Sequence, residues 1–187
     1  MKHLKKTLVA GLLAACSQAW AAPTLSIVTT PNPSQVGSLV DVDVRISDAV
    51  DLYSYNFSLN FDASLFRAVG VSEGAFLGTA GATDFGYAGI DNTTGNVSYV
   101  YNYVFGPESG ATGSGSLAHI RLEAIGLGSG AFSFSDLLFL DSASNEIMVT
   151  VDAGAQAEVP EPASYALFGI GLFGAAALRR RSLSPRA

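Results

Sequence analysis

The sequence predicts an all-β protein, a sandwich or jelly roll of nine or ten short strands, and three observations lead there. Between Thr24 and Val151 apolar residues alternate with period two, as they do on strands with one buried face. Turn-forming clusters punctuate the alternation at Pro31-Asn32-Pro33, Asp91-Asn92-Thr93-Thr94-Gly95-Asn96, Gly113-Ser114-Gly115 and from Gly126 to Gly130. No long apolar run at helical spacing occurs in that region. One flat sheet of so many strands would leave an apolar face in water, so the strands must stack in layers.

Ahead of the strands, Lys2, Lys5 and Lys6 form a basic stretch, Thr7 to Ala15 an apolar one, and Ala19-Trp20-Ala21 a small-x-small site. Residues 1–21 read as a secretory signal peptide cut after Ala21. Leu13-Ala14-Ala15-Cys16 offers a second cleavage pattern, a lipobox in which Cys16 would be acylated and lead the mature chain. Either route exports the protein. Cys16 is the only cysteine, so the mature domain has no disulfide and must be held by its core. About 135 residues between leader and tail suffice for that.

The strands follow in order. Leu25–Thr29 comes first. In "LVDVDVRIS", Val40, Val42, Val44 and Ile46 face one way and Asp41, Asp43 and Arg45 the other. In "LYSYNFSLNF", Tyr53, Tyr55, Phe57, Leu59 and Phe61 oppose Ser54, Asn56, Ser58 and Asn60. Leu65–Val71, Asp84–Ala88, Val97–Val104, Ser116–Ala124, Ala131–Phe134, Leu137–Leu140 and Ile147–Val151 complete the set. Tyr99, Tyr101 and Tyr103 share one side of their strand, and Tyr53 and Tyr55 line up similarly. Exposed, such rows stack on sugar rings; buried, they fill a core. Alternation with Val100, Asn102 and Val104 does not settle the face, and the core is the favoured reading.

From Ala22 to Glu158 fifteen acidic side chains face three arginines, Arg45, Arg67 and Arg121, a net charge of −12. Such a domain is repelled by phosphate backbones, so nucleic acid is not a partner. Lysine is absent beyond the leader, which excludes lysine–asparagine isopeptide crosslinks.

The stretches "GSLVDVDVRI", "YNFSLNFDASLFRAVGVSEGAF", "GSGSLAHIRLEA" and "DLLFLDSASNEI" resemble, in order and pattern, the cohesin-like domain, with Phe61-Asp62 closing a strand and Leu117-Ala118-x-Ile120-x-Leu122 following a glycine-rich turn. That resemblance implies a single flattened jelly-roll β-sandwich of about nine strands over residues 22–158, a fold shared with several carbohydrate-binding modules. Cohesins dock onto calcium-loaded dockerins through one sheet face, which implies a binding role; no binding residue is transferred.

Catalytic residues are not expected. His119 is the only histidine beyond the leader and sits in an alternating strand, where it reads as a polar-face side chain. No nucleophile-elbow sequence occurs. Asp41 and Asp43, two apart on one strand beside Arg45, read as a solvated face rather than a glycosidase pair. Asp91, Asn92 and Asn96 offer oxygen atoms of the kind calcium accepts, without the density of an EF-hand loop, and a hairpin turn accounts for them. No cofactor is expected, with calcium the one candidate.

Residues 159–187 are different in kind. Val159 precedes Pro160-Glu161-Pro162, the sixteen uncharged residues 163–178 follow, and Arg179-Arg180-Arg181 closes the run. As a transmembrane helix the span would cover about 24 Å, short for a bilayer, with the arginines holding the cytoplasmic end. The three parts together resemble the PEP-CTERM sorting signal of Gram-negative bacteria. That implies processing by exosortase, a membrane-embedded enzyme of bacteria that make extracellular polysaccharide. The expectation is an inner-membrane precursor with the domain outside the cytoplasm, then delivery to the cell surface or the extracellular matrix. There the sandwich would act as a non-catalytic binding module for carbohydrate or for another surface protein. The alternatives are a purely structural subunit of an exopolysaccharide biofilm matrix and a glycan-active enzyme.

Overall fold

In the computed structural model, which describes residues 22–106, 109–152 and 156–160, one long strand organises the molecule. The strands are β1 (Thr24–Thr30), β2 (Leu39–Asn60), β3 (Phe66–Glu73), β4 (Ala82–Gly86), β5 (Gly89–Asp91) and β6 (Asn96–Phe105). After them come β7 (Ala111–Ala124), β8 (Gly128–Ala131), β9 (Ser133–Asp141), β10 (Thr150–Val151) and β11 (Gln156–Val159). A single 3-10 turn, Leu77–Thr79, lies between β3 and β4.

The first half of β2 pairs with β1 and β7, and β7 pairs in turn with β3. Its second half pairs with β6 and β9, and β6 carries β4 and β5. Between the halves the chain bends at Asp48 and Asp51, both at φ +56°, a left-handed conformation that aspartate tolerates better than bulkier residues. One strand thus serves both layers of an all-β jelly-roll sandwich.

The alternation on β2 explains the core between them. Val40, Val42, Val44 and Ile46 are buried from one layer, Tyr55, Phe57 and Leu59 from the other. Phe134 packs edge-on to Phe57 with ring centres 5.5 Å apart, and Phe139 stacks on Tyr55 at 6.0 Å. Each such side chain stabilises the fold by about 1.5–3 kcal/mol.

Several expected boundaries move. The two predicted strands around residue 50 are one strand, bent rather than broken. Gly113-Ser114-Gly115, read as a turn, lies inside β7; Gly113 takes φ +121° and Phe76 packs where a Gly115 side chain would stand. Ala131–Phe134 and Leu137–Leu140 give way to β8 and a continuous β9. Of Ile147–Val151 only Thr150 and Val151 pair, parallel to β1.

β11 was not expected. It pairs with β8, Val159 opposite Gly128, and buries Ala157 and Val159 completely. Ser34 donates its amide and hydroxyl to the Glu158 carbonyl at 2.7 and 3.1 Å, and Asn32 bonds the β11 backbone from the same side.

Candidate binding face

The tyrosines of β6 point outward, against the expectation that they fill the core. The reason is a bulge. The register between β2 and β6 shifts between Phe57 and Leu59, Tyr99 adopts φ +50°, and its amide hydrogen bonds the Ser58 hydroxyl at 3.1 Å. Val97 and Val100, three apart, therefore both face inward with Asn102 and Val104, and Tyr99, Tyr101, Tyr103 and Phe105 are left outside. Tyr55 does lie in the core, and Tyr53 is half-buried against it.

On the outer surface of the β9–β2–β6–β4 layer these rings form a row. Tyr99 and Phe105 are each 51 % exposed, Tyr103 36 % and neighbouring Leu138 38 %. Tyr99 and Tyr101 sit 6.0 Å apart, Tyr103 and Phe105 4.9 Å apart. Ser54, Asn56 and Leu140 complete a shallow depression of about 340 Å³ beneath the tyrosines. Two polar bonds fix its walls: the Tyr103 hydroxyl donates to Asp84 Oδ2 at 2.8 Å, and Asn56 Nδ2 donates to the Asp136 carbonyl at 2.7 Å. The bond to Asp84 holds the Tyr103 phenol above its usual pKa, since losing its proton would set two negative charges together.

Beneath this face the buried Asn102 joins a polar knot that opens to solvent at Glu73. Asn102 donates to Glu73 Oε1 at 2.8 Å, and Thr83 donates to the same oxygen at 2.6 Å. The Tyr55 hydroxyl crosses the core to the Leu117 carbonyl at 2.5 Å. The face is thereby braced against the opposite layer.

The opposite layer shows what sequence reasoning missed. His119 Nδ1 lies 3.0 Å from Asp41 Oδ2, and His119 Nε2 lies 3.2 Å from Ser116 Oγ. Residues three apart on a strand normally face opposite ways, but the register shift between Val44 and Arg45 tucks both Leu117 and Ala118 into the core. That brings Ser116 and His119 to one side. The order of contacts matches a Ser–His–Asp triad, yet the serine proton goes to Asp43 Oδ1 at 2.5 Å, and Arg45 holds the other Asp43 oxygen at 2.8 Å. In a triad the serine hydroxyl donates to the histidine; here it donates to the Asp43 carboxylate instead. The pair Asp41 and Asp43 lies on a polar strand face, as the alternation implies.

The loop residues considered for calcium have other engagements. Asp91 Oδ1 accepts the amides of Thr93 and Thr94, which holds its carboxyl below the usual range. Asn92 pairs both ways with the Ala68 backbone, at 2.7 and 3.0 Å, and Asn96 donates to Asn60 at 2.7 Å. Among the described residues no three histidine, cysteine or carboxylate side chains gather as metal ligands would.

Of the sorting residues, Pro160 directly follows β11 and is half-buried. Cys16, Ala19, Ala21, Glu161, Pro162, Arg179, Arg180, Arg181 and the span 163–178 lie outside the described residues. Among the described residues no helix is long and apolar enough to cross a membrane.

Two layers of this topology, one carrying an outward aromatic row, make a jelly-roll β-sandwich. Residues 23–157 match the family model described as the cohesin domain, and the chain belongs to that family. Residues 158–181 match the PEP-CTERM protein-sorting motif.

Solved structures agree on the fold. A non-cellulosomal cohesin from the hyperthermophilic archaeon Archaeoglobus fulgidus is 18 % identical, with a TM-score of 0.59 over 75 % of this chain and 93 % of its own. The second type II cohesin module of the ScaA scaffoldin of Acetivibrio cellulolyticus is 15 % identical, at 0.61 over 75 % and 98 %. The sixth cohesin of scaffoldin B from the same organism, solved with a mutant dockerin, is 18 % identical, at 0.60 over 74 % and 99 %. A comparison with curated proteins finds no match.

Proposed function

We propose that this chain is an exosortase-sorted surface protein whose sandwich holds a protein partner on the tyrosine-lined face and performs no catalysis. The observation that carries the reading is the outward row of Tyr99, Tyr101, Tyr103 and Phe105 beside Leu138 and Leu140. Aromatic side chains on a rigid sheet supply large contact area at low entropic cost, and such residues dominate binding energy at interfaces. The adjoining leucines suit an apolar protein anchor better than a sugar ring. Cohesins of Acetivibrio cellulolyticus solved with dockerins give a precedent for a protein ligand on this fold. The sorting motif supports the route: export, an inner-membrane precursor with the domain outside and Arg179 to Arg181 inside, then exosortase processing and release to the surface.

The test presents the chain on vesicles to the cell's surface proteins and, separately, to its exopolysaccharide. A saturable protein ligand is expected, its affinity falling about thirtyfold when Tyr99→Ala and Tyr101→Ala are combined, as losing about 2 kcal/mol of central contact implies. Retention of polysaccharide alone would replace the protein partner with a carbohydrate. Retention of neither would leave a structural matrix subunit, and sustained glycan hydrolysis would make the chain an enzyme.

A further inference from the structure

The end of the sandwich from which the tail departs differs from the rest of the surface. Segments 31–40 and 124–135 carry no charged side chain, in a domain whose net charge is −12. They meet at that end: the Gly37 amide bonds the Ala124 carbonyl at 2.7 Å, the Ala124 amide bonds the Ser38 carbonyl at 3.0 Å, and the Ser34 amide bonds Glu158. Val36, Leu39, Ile125 and Leu127 project there, each 44–52 % exposed, and a notch lined by Leu127, Val159 and Pro160 sits among them. The acids of this end, Asp62, Asp91, Glu123 opposite Leu39, and Glu158, lie outside the two segments. Asp48, Asp51, Asp141, Glu146 and Asp152 lie at the other end, where β2 bends and β9 finishes.

Chain length decides what this rim meets. The apolar run begins at residue 163, three residues past Pro160. Three residues reach about 10 Å fully extended, little more than the headgroup layer on one side of a bilayer. A folded end so close to the hydrocarbon cannot stand clear of the lipid surface.

We propose that Val36, Leu39, Ile125 and Leu127 form a membrane-facing rim that rests in the headgroup layer of the precursor. The inference rests on the reading of the tail as a membrane anchor. Uncharged apolar side chains suit the interface. The strands then rise from the membrane, so the tyrosine face looks sideways, open to partners.

The experiment uses the signal-processed chain, residues 22–187, which contains no cysteine, inserted in vesicles of phosphatidylethanolamine and phosphatidylglycerol. Single variants Val36→Cys, Leu127→Cys and, at the far end, Asp48→Cys and Glu146→Cys carry an environment-sensitive dye. Nitroxide lipids labelled at headgroup depth should quench the rim positions about threefold more than the far positions. Equal, water-like signals from all four sites on a chain that floats with the vesicles would overturn the rim while leaving the anchor intact. A chain that does not float would overturn the anchor and the rim with it. Shielding of the rim only when the sorting enzyme is added would overturn lipid contact in favour of an enzyme contact.

Discussion

Replacing Tyr55 with phenylalanine tests how the two layers are joined. The side chain is buried, its ring stacks with Phe57 and Phe139 at 5.9 and 6.0 Å, and its hydroxyl donates to the Leu117 carbonyl. Tyr55→Phe keeps the ring and removes the donor. The Leu117 carbonyl is not orphaned, because the Gly74 amide also bonds it at 2.8 Å. The loss at neutral pH is therefore that of one exchanged hydrogen bond, about 1 kcal/mol, without the larger penalty of an unpaired acceptor. Alkali adds a second signature. Burial, and secondarily the charge of Glu73, push the Tyr55 phenol well above its ordinary value, although Asn102 opposes the shift. A group whose folded pKa is raised stabilises the protein fully below its unfolded pKa, near 10, and loses that contribution as pH rises further. At pH 11 the unfolded tyrosine is ionised and the native one is not, which costs the wild type about 1.4 kcal/mol that the variant does not lose. Urea unfolding followed by far-ultraviolet circular dichroism should show the wild type ahead by about 1 kcal/mol at pH 7 and level or slightly behind at pH 11. A gap that stays constant between the two pH values would refute the buried, donating phenol.

Asn92→Ala removes both bonds to Ala68 and should destabilise by about 1–3 kcal/mol, with faster hydrogen exchange at the Ala68 amide; unchanged exchange there would mean that β3 does not need the clamp. Gly95→Ala places a methyl carbon 2.0 Å from the Phe61 carbonyl oxygen at φ +75°, so a lowered melting temperature and loss of about 1–3 kcal/mol are expected, and a neutral result would contradict that close approach. Asp51 accepts from the Ser142 hydroxyl and the Gly110 amide, which hold its carboxyl below the usual range. Its stabilisation is present above the ordinary aspartate range and lost as pH falls through the lowered native value, so Asp51→Asn should flatten the acid limb of the stability profile. An unaltered acid limb would show that Asp51 titrates alike folded and unfolded. Changing Pro160, Glu161 and Pro162 together to alanine should strand the precursor in the inner membrane, while the wild type loses Arg179 to Ala187; mass spectrometry finding an intact Ala187 on the cell surface would defeat the sorting reading.

Most of the layering was legible because burial and alternation coincide. Val40 to Ile46 faces the core at every second residue, so the pattern and the structure say the same thing. The binding face was hidden because β6 carries apolar side chains on both faces. The ring bodies of Tyr99, Tyr101 and Tyr103 could fill a core as Val97, Val100 and Val104 do, and only the bulge at Tyr99 decides between them. The inward Asn102 made the wrong face look polar. The meeting of Ser116 and His119 depends on another bulge, and bulges leave no period in a sequence. β11 escaped because four residues, two of them buried, are too short a run to show a period, and its partners lie more than twenty residues away.

The position of β11 has a consequence for how the protein is released. Pro160, the first residue of the sorting motif, is the immediate neighbour of Val159, a fully buried residue. A cut at or beyond Pro160 frees a sandwich with every strand in place. A cut one residue earlier takes Val159, and one three residues earlier takes Ala157 and Glu158 as well, opening a gap beside β8 and removing the Glu158 bonds to Asn32 and Ser34. The fold itself thus acts as a ruler: the length of a durable released product is bounded from within, whatever sequence the cutting enzyme prefers.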